Sequence, residues 1–325
     1  MRKNKDHKII RLQESQFYYL DMVTNNKKIM NRQKYDEKLY TRMLIEDISM
    51  GLMPIGSGAK KPFRVFITPP DPKIERLISA SIDQSDYRRD LADSIYNFFK
   101  QCSQTIMAYG EATYELVYLY NKDKKSLVGF EFFHIPSQTL VRRHGKLMQY
   151  IPNDIAKARE IPQYIRLSPD NIVTFNIPNM IKNQYKHIMD SLSYLSDKIM
   201  PDFAQPWKKD IEKIPFDLKI HIRTQKLALA HAGKLIGWNA RGLFDNEILE
   251  FYYTYRHLIF ERFKINFRND ILERFNDGLA RVGKKLGFSA QLKIEGLPSL
   301  LDVEKAQQQL EKGDKSFIKI LDDFL

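Results

Sequence analysis

The sequence predicts an α+β protein, with an antiparallel sheet in its first half and helices in its second half. Short aromatic and β-branched runs separated by polar turns fill residues 111–175, which is typical of antiparallel strands. After Pro178 the apolar residues recur at helical spacing instead. The length of 325 residues is enough for one large or two ordinary domains. The composition, 43% hydrophobic and 28% charged, is typical of a folded protein.

Residues 1–59 are predicted to form a basic N-terminal arm. The first 42 residues hold 11 Lys or Arg and 5 acidic residues. The difference of 6 positive charges is half of the net charge of +12 of the whole chain. The arm ends in the turn-rich stretch Gly51–Gly58, which has no periodicity. We expect it either to be solvated or to lie on a neighbouring subunit. The net charge and the pI near 9.4 indicate a polyanionic partner, for which nucleic acid is the usual candidate.

Residues 60–177 are predicted to form the α+β domain. It begins with a short strand, Phe63–Ile67, and continues with a helix that Asp86 would cap at its start and Gly110 at its end. One face of that helix is apolar and contains Cys102, which we expect to be a buried structural thiol. The full apolar face is Leu91, Ile95, Phe98, Phe99, Cys102 and Ile106.

The strands of this domain follow the helix. We expect two hairpins and then two short strands, because the period of the apolar residues changes to two and polar turns intervene. The predicted strands are Thr113–Tyr120, Leu127–Ile135, Thr139–Arg143, Lys146–Ile151, Tyr164–Arg166 and Ile172–Phe175.

The rest of the chain is predicted to be mostly helical, in two segments. Residues 178–245 would hold a helix from Asn179 to about Ile199, a connector at 201–223 with a strand-like Phe216–Ile220, a helix at 224–237, and a loop at 238–245. Residues 246–325 would hold a long helix from about Asn246 to Lys285, a strand and a final helix. The long helix would measure about 60 Å. We expect that length to need a larger assembly.

The last two elements are expected to be short. The strand is predicted over Ala290–Ile294 and the final helix over Leu301–Glu311.

A search for catalytic groups predicts no enzyme, no cofactor and no metal. A single cysteine excludes disulfides and multi-cysteine metal motifs, and no two histidines stand four apart beside a catalytic Glu. The best carboxylate cluster is Asp83, Asp86, Asp90 and Asp93 at helical spacing. It could hold a divalent cation. We favour the simpler interpretation that these residues start a helix, because Asp is stabilised at helix N-termini.

The order of several local patterns resembles the portal (head-tail connector) proteins of tailed bacteriophages. The family's "G-x-A-x-x-E-x-V" entry into a hairpin is similar to Tyr109–Val117, and its "I-P-x-x-x-V" step is similar to Ile135–Val141. Tyr150–Pro152 and Leu167–Phe175 are similar to its next two strands, and Asp270–Leu279 to the end of its long helix. The resemblance covers residues 86–315, while the chain is shorter than the usual members.

This resemblance implies a wing domain at 60–177 and stem helices at 179–199 and 224–237. It also implies a short clip at 201–223 and a tunnel loop at 238–245, with Lys234 and Arg241 facing DNA. A non-enzymatic ring of twelve subunits at a capsid vertex would form a passive channel for double-stranded DNA during packaging and ejection.

The resemblance further implies the partners and the location. The partners would be the major capsid protein, terminase and head-tail adaptor proteins, with no membrane contact. The ring would assemble in the host cytoplasm and end in the virion.

Two other functions stay open at the level of the sequence. The chain could be a nucleic-acid-binding protein of low oligomeric order, which its charge would equally explain. It could also be a metal-dependent nuclease that uses the four aspartates at 83, 86, 90 and 93.

Overall fold

A computed structural model describes Tyr35, residues 37–54, 63–82, 90–121, 126–158, 160–197 and 218–322, and Phe324. The fold is α+β, as the sequence predicted, and every paired strand in the described residues is antiparallel. No helix in these residues is both long and apolar enough to span a membrane.

The first half of the chain contains most of the strands together with four helices among the described residues, and the second half is mainly helical. The helices are α1 (Leu39–Gly51), α2 (Pro72–Ile82), α3 (Leu91–Tyr109), α4 (Asn153–Ala158), α5 (Tyr185–Asp197), α6 (Leu218–Ala232), α7 (Glu250–Leu286), α8 (Leu300–Lys312) and α9 (Phe317–Asp322). The strands are β1 (Arg64–Thr68), β2 (Glu111–Tyr120), β3 (Leu127–Ile135), β4 (Leu140–Arg143), β5 (Lys146–Tyr150), β6 (Tyr164–Arg166), β7 (Ile172–Asn176) and β8 (Gln291–Glu295).

The chain divides into two compact units, each built from separate stretches of sequence. The first unit takes Pro62–Asn176 and Asn269–Gly296, and the second takes Tyr35–Lys61, Ile177–Arg268 and Leu297–Leu325. This division differs from the consecutive segments predicted from the sequence. Helix α7 contributes its first half to the second unit and its second half to the first, so residues 246–325 do not form one segment of their own.

The described residues of the first unit form three small sheets. Both predicted hairpins are confirmed: β2 pairs with β3, and β4 pairs with β5 around a turn at His144 and Gly145. Strand β7 pairs on the other side of β2, and β6 on the other side of β5. The strand predicted over Ala290–Ile294 is present as β8, and it pairs with β1.

An aromatic core fills one face of the β2–β3–β7 sheet in the first unit. Phe98 of α3 lies 5.1 Å from Phe275 of α7 between ring centroids, and Phe275 stacks on Phe132 at 4.9 Å. Gly278 brings α7 close to the sheet, because a Cβ there would come 3.1 Å from both Phe132 and Val173. The whole predicted apolar face of α3 is buried, including Cys102.

The helix α3 begins later than predicted. Asp90, and not Asp86, is its N-cap, because the Asp90 carboxylate accepts the backbone N–H of Asp93 at 2.8 Å. Gly110 ends the helix in the left-handed conformation (φ 88°), as predicted. Asp83 and Asp86 lie outside the described residues.

In the second unit, α1 is part of the folded structure of its own chain. Leu44, Ile45 and Ile48 are buried, and the Tyr35 hydroxyl donates to Asp190 of α5 at 2.6 Å. The part of the predicted arm from 37 to 54 is therefore no arm. This helix was not predicted from the sequence, because charged residues lie among and around its apolar positions. Residues 1–34 lie outside the described residues.

Three helix boundaries in the second unit differ from the prediction. Asn179 is not the N-cap of a helix. Residues 178–184 form successive turns, in which backbone hydrogen bonds join residues three apart, and α5 begins only at Tyr185. The predicted strand-like segment is helical from Leu218, where α6 begins, and α6 ends at Ala232 rather than at 237. The connector at 201–217 lies outside the described residues.

The C-terminal helices pack on the first half of α7. Val303, Ala306 and Leu310 of α8 form a buried cluster with Leu258 and Ile265 of α7. Ser299 and Asp302 form a capping box at the start of α8, which fixes the predicted final helix one residue early. Helix α9 was not predicted.

Candidate functional site

The candidate site is the α5–α6 helix pair of the second unit together with the turn that connects α6 to α7. The buried side chains of the pair lie at one end only: Ile188, Met189 and Leu192 on α5, and Leu229 and Ala230 on α6. None of residues 193–197 or 219–228 is buried in the described structure. At the other end of the pair, no described residue is buried.

Apolar side chains are exposed on this end of the pair and around it. Ile222 and Leu227 of α6 expose 44% and 45% of their surface. Leu235, Leu243, Leu249 and Phe251, in the connecting turn and at the start of α7, are also exposed. Of the large exposed apolar side chains of the described residues, Val128 alone belongs to the first unit. A concentration of this kind indicates an interaction surface.

The turn after α6 is held from inside by Arg256 of α7. Its guanidinium is buried, and it donates to the Ala230 carbonyl at 2.7 Å, to the Trp238 carbonyl at 2.6 Å and to the Asn239 side-chain oxygen at 3.0 Å. The last carbonyls of a helix lack partners within the helix. Arg256 supplies a hydrogen-bond donor to one of these carbonyls, that of Ala230, and so it fixes where α6 ends.

Arg256 has no acidic partner among the described residues, and its charge is held by oxygen atoms of neutral groups. Its carbon Cζ also lies 5.1 Å from the centre of the Phe244 ring. Burial lowers the pKa of Arg256 from its ordinary value. The sequence analysis did not identify this residue, because a single Arg in an aromatic helix looks like an exposed position.

Helix α1 holds the same turn from outside. The indole N–H of Trp238 donates to Asp47 at 2.8 Å, and Arg241 donates to Asp47 at 2.7 Å and to Glu46 at 3.0 Å. The hydrogen bond to Glu46 is the largest cause of the raised pKa of Arg241. Trp238 and Phe244 are buried, so both ends of the predicted tunnel loop are fixed in the unit.

The two predicted DNA-facing residues lie in different surroundings. Lys234 is exposed in the first turn after α6, and it forms no ion pair with any described residue. Arg241 is about half exposed, and its charge is balanced by the two carboxylates of α1. Glu46 and Asp47 were not expected here, since only the fold brings α1 to this turn.

The side chains suited to chemistry are dispersed among structural roles. No group of three or more His, Cys, Asp or Glu residues could hold a metal ion within the described part of the chain. Asp90 caps α3, and burial raises the pKa of the Cys102 thiol well above its ordinary value. Among the described residues, the site therefore offers a surface for association rather than a set of reacting groups.

Comparisons with known proteins give structural similarity and no sequence family. No family model matches, and no curated protein matches. The fold is similar to a chain of the neck of an empty GTA particle, with 11% identity over 92% of this chain and 96% of that chain and a TM-score of 0.47. It is also similar to a chain of the virion of a native gene transfer agent, with 12% identity over 92% and 96% and a TM-score of 0.45.

A third similar structure is an HK97-family phage portal protein from Corynebacterium diphtheriae. The identity is 9% over 82% of this chain and 96% of that chain, and the TM-score is 0.44. Likeness at this level is a statement about fold, and we draw no functional argument from it.

Proposed function

We propose that the chain is a portal-type protein that forms a ring of about twelve copies at a capsid vertex. The ring would be a passive channel for double-stranded DNA in packaging and ejection. It would also dock terminase, head-tail adaptor proteins and the major capsid protein. The protein would not be an enzyme, and it would belong to the virion after assembly in the host cytoplasm.

The observation that carries this proposal is the α5–α6 pair, which exposes apolar side chains at an end where no described residue is buried. An isolated helix pair of this length is marginal in water, because most helical stability comes from the packing of an apolar face. Packing against the same pair of a neighbouring copy would supply that face. A head-to-tail ring achieves this for every copy at once. The sequence resemblance to portals supports the same arrangement, with α5 and α6 as stem helices.

Within this ring we place Lys234 and Arg241 toward the DNA. Lys234 can meet a phosphate directly, because no described carboxylate pairs with it. Arg241 must first exchange Glu46 and Asp47 for phosphate oxygens. We therefore expect Lys234→Gln to weaken binding of non-specific DNA more than Arg241→Gln does. Such contacts should be weak, since DNA must slide through the channel.

The test of the ring is particle size, measured by mass photometry and negative-stain imaging of the full chain. The wild type should give closed rings of about twelve subunits, following the closed symmetry of most homo-oligomers. Replacing two exposed aliphatic residues of α6, Ile222→Glu with Leu227→Glu, should abolish the rings. Val128→Glu with Leu301→Glu makes the same change of charge at exposed positions outside the pair, and it should keep them.

Two results would contradict the proposal. One is a strict monomer at micromolar concentration, even with capsid protein present. The other is an equal loss of rings in both double variants. A monomer or dimer that binds DNA tightly and with a steep salt dependence would instead favour the nucleic-acid-binding alternative, which the net charge of +12 supports.

A further inference from the structure

The β4–β5 hairpin of the first unit carries a group of exposed cations that the proposed function does not use. Arg142, Arg143, His144 and Lys146 surround its tip, and Arg166 lies on the neighbouring strand β6. All five side chains are exposed. None of them forms an ion pair with a described residue. We refer to Arg142, Arg143, Lys146 and Arg166 as the hairpin cations.

The sequence around the hairpin contains no compensating charge. There is no Asp or Glu from residue 132 to residue 153. Cations without an acidic partner among the described residues repel one another and favour an anionic neighbour. A binding partner of this surface should therefore carry negative charge.

The pairing register places the hairpin cations on both faces of the hairpin. Arg143 pairs directly with Lys146, and the two share one face. Arg166 pairs with Met148, which lies two residues from Lys146, so Arg166 is on that same face. Arg142 pairs with Leu147 and points to the opposite face.

The tip between these residues projects into open space. His144 and Gly145 both have positive φ, 51° and 73°, as a two-residue hairpin turn requires. A Cβ added at Gly145 would meet no atom within 4 Å. Residues 142–146 are exposed, whereas Leu147, on the same face as Arg142, packs against the core of the unit, so only the tip is free to enter a groove.

An aromatic ring orients one of the cations. The Arg143 guanidinium lies 5.6 Å from the centre of the Tyr164 ring, and Tyr164 packs 5.4 Å from Tyr150 between centroids. Stacking of this kind holds an arginine side chain in one orientation and leaves its N–H groups able to bind a phosphate. The loss of side-chain freedom on binding is thereby reduced.

We propose that this hairpin is a binding surface for double-stranded DNA, separate from the turn that contains Lys234 and Arg241. Beyond the Met148–Arg166 pair with β6, the hairpin is a two-stranded ribbon. A ribbon of this kind fits the major groove, which is about 12 Å wide and has phosphates along both walls. Cations on both faces of the ribbon match two walls of phosphates. An acidic peptide would engage one face only and leave Arg142 or the Arg143 side unsatisfied. Sequence preference is not expected, because most of these contacts are to phosphate.

The experiment measures DNA affinity of the full chain by fluorescence anisotropy, with a labelled duplex of mixed sequence of about 30 base pairs. The test variant combines Arg142→Gln, Arg143→Gln and Lys146→Gln. The control combines Lys305→Gln, Lys312→Gln and Lys319→Gln, which are exposed cations of α8 and α9 and remove the same charge. Circular dichroism and Tm establish that both variants are folded.

We expect the hairpin variant to bind DNA at least about tenfold more weakly than the wild type. The slope of log K against log salt should fall by about 0.9 for each lost phosphate contact. The control should change affinity by less than about threefold, since it alters only the overall field. Equal losses in the two variants, or no loss in the hairpin variant, would overturn the proposal.

A second probe separates DNA from an acidic protein partner. Poly-glutamate of matched charge should compete only weakly with the duplex. Preferential binding of poly-glutamate through the hairpin would overturn the DNA assignment. Particle size of the hairpin variant is measured in parallel, and it should equal that of the wild type. The hairpin result therefore stands or falls separately from the proposed ring.

Discussion

Gly237, in the turn that follows α6, has a backbone conformation and surroundings that only glycine fits. Its φ is +71°, and a Cβ at this position would lie 2.1 Å from the backbone carbonyl oxygen of Arg256. That carbonyl belongs to α7 and cannot move without bending the helix. The close approach lets Arg256 reach across to the end of α6.

Gly237→Ala should therefore destabilise the protein strongly. Left-handed backbone costs a non-glycine residue about 1–2 kcal/mol, and the overlap with Arg256 should add about 1–3 kcal/mol. Gly313→Ala is the matched control, because its φ is +70° and no atom lies within 4 Å of the added Cβ. Urea unfolding of both variants checks this. Equal losses of unfolding free energy would show that the contact with α7 does not matter.

Glu115 gives a residue-scale prediction about pH. Burial on strand β2 raises the pKa of Glu115 from 4.5 to about 7 in the folded protein. A group with a raised folded pKa contributes stability that is complete below its unfolded pKa and is lost as pH rises through the folded value. We therefore expect the protein to lose this contribution to its stability as the pH rises from 4.5 to about 7.

Glu115→Gln removes this titration. The Tm of the variant minus that of the wild type should rise between pH 4.5 and about 7, and it should be constant outside that range. Thermal melts at intervals of pH measure it. A difference in Tm that does not change with pH would contradict the raised pKa of Glu115.

At the scale of elements, α1 holds the turn between α6 and α7 through two carboxylates, of which Asp47 makes more contacts. Asp47 accepts both the Trp238 indole and the Arg241 guanidinium, whereas Glu46 accepts Arg241 alone. Since Trp238 is buried, loss of its acceptor leaves an unpaired N–H in the interior. That costs about 1–3 kcal/mol.

Asp47→Ala should consequently increase opening of this turn. Trypsin cleavage after Arg241 in the native protein reports the opening, and it should be roughly tenfold faster in the variant. Glu46→Ala keeps the Trp238 contact, and it should accelerate cleavage much less. If the two variants were cleaved at the same rate, the ion pairs of Arg241, and not the indole, would hold the turn.

The hairpin strands of the first unit could be predicted from sequence because their partners lie close along the chain, whereas the pairing of β1 with β8 joins distant residues. The β2–β3 and β4–β5 hairpins need only alternating apolar residues and a local turn. Helix α1 could not be predicted, because it packs on residues distant in the chain, mainly those of α5. The contacts of Arg241 and Arg256 were missed for the same reason. Each joins residues that only the tertiary fold brings together.

The length of α7 does not by itself require neighbouring subunits. A helix of 37 residues was expected to need neighbouring subunits. Its apolar residues are instead buried along both halves within the chain, including Leu258, Phe263, Phe275 and Leu279. Evidence for assembly comes from the shorter pair α5 and α6, which the length argument ignored.

At the scale of the whole molecule, exposed apolar side chains of the described residues are concentrated in the second unit. If association covers them, the assembled form is stabilised over the unfolded chain by mass action, and Tm must depend on protein concentration. Association adds about 2.7 kcal/mol when the free concentration is about 100 times the dissociation constant. The Tm of a protein that stays monomeric does not depend on its concentration.

The Tm of the wild type should therefore rise by several degrees as the concentration increases through the range where rings form. The Ile222→Glu, Leu227→Glu variant should have the same Tm at every concentration, because its α6 cannot pack on a neighbour. The Val128→Glu, Leu301→Glu control should behave as the wild type does. Scanning calorimetry over about a hundredfold range of concentration measures this. A wild-type Tm that does not change would mean that the exposed face of α6 is not covered by a second copy, and it would remove the main physical support for a ring.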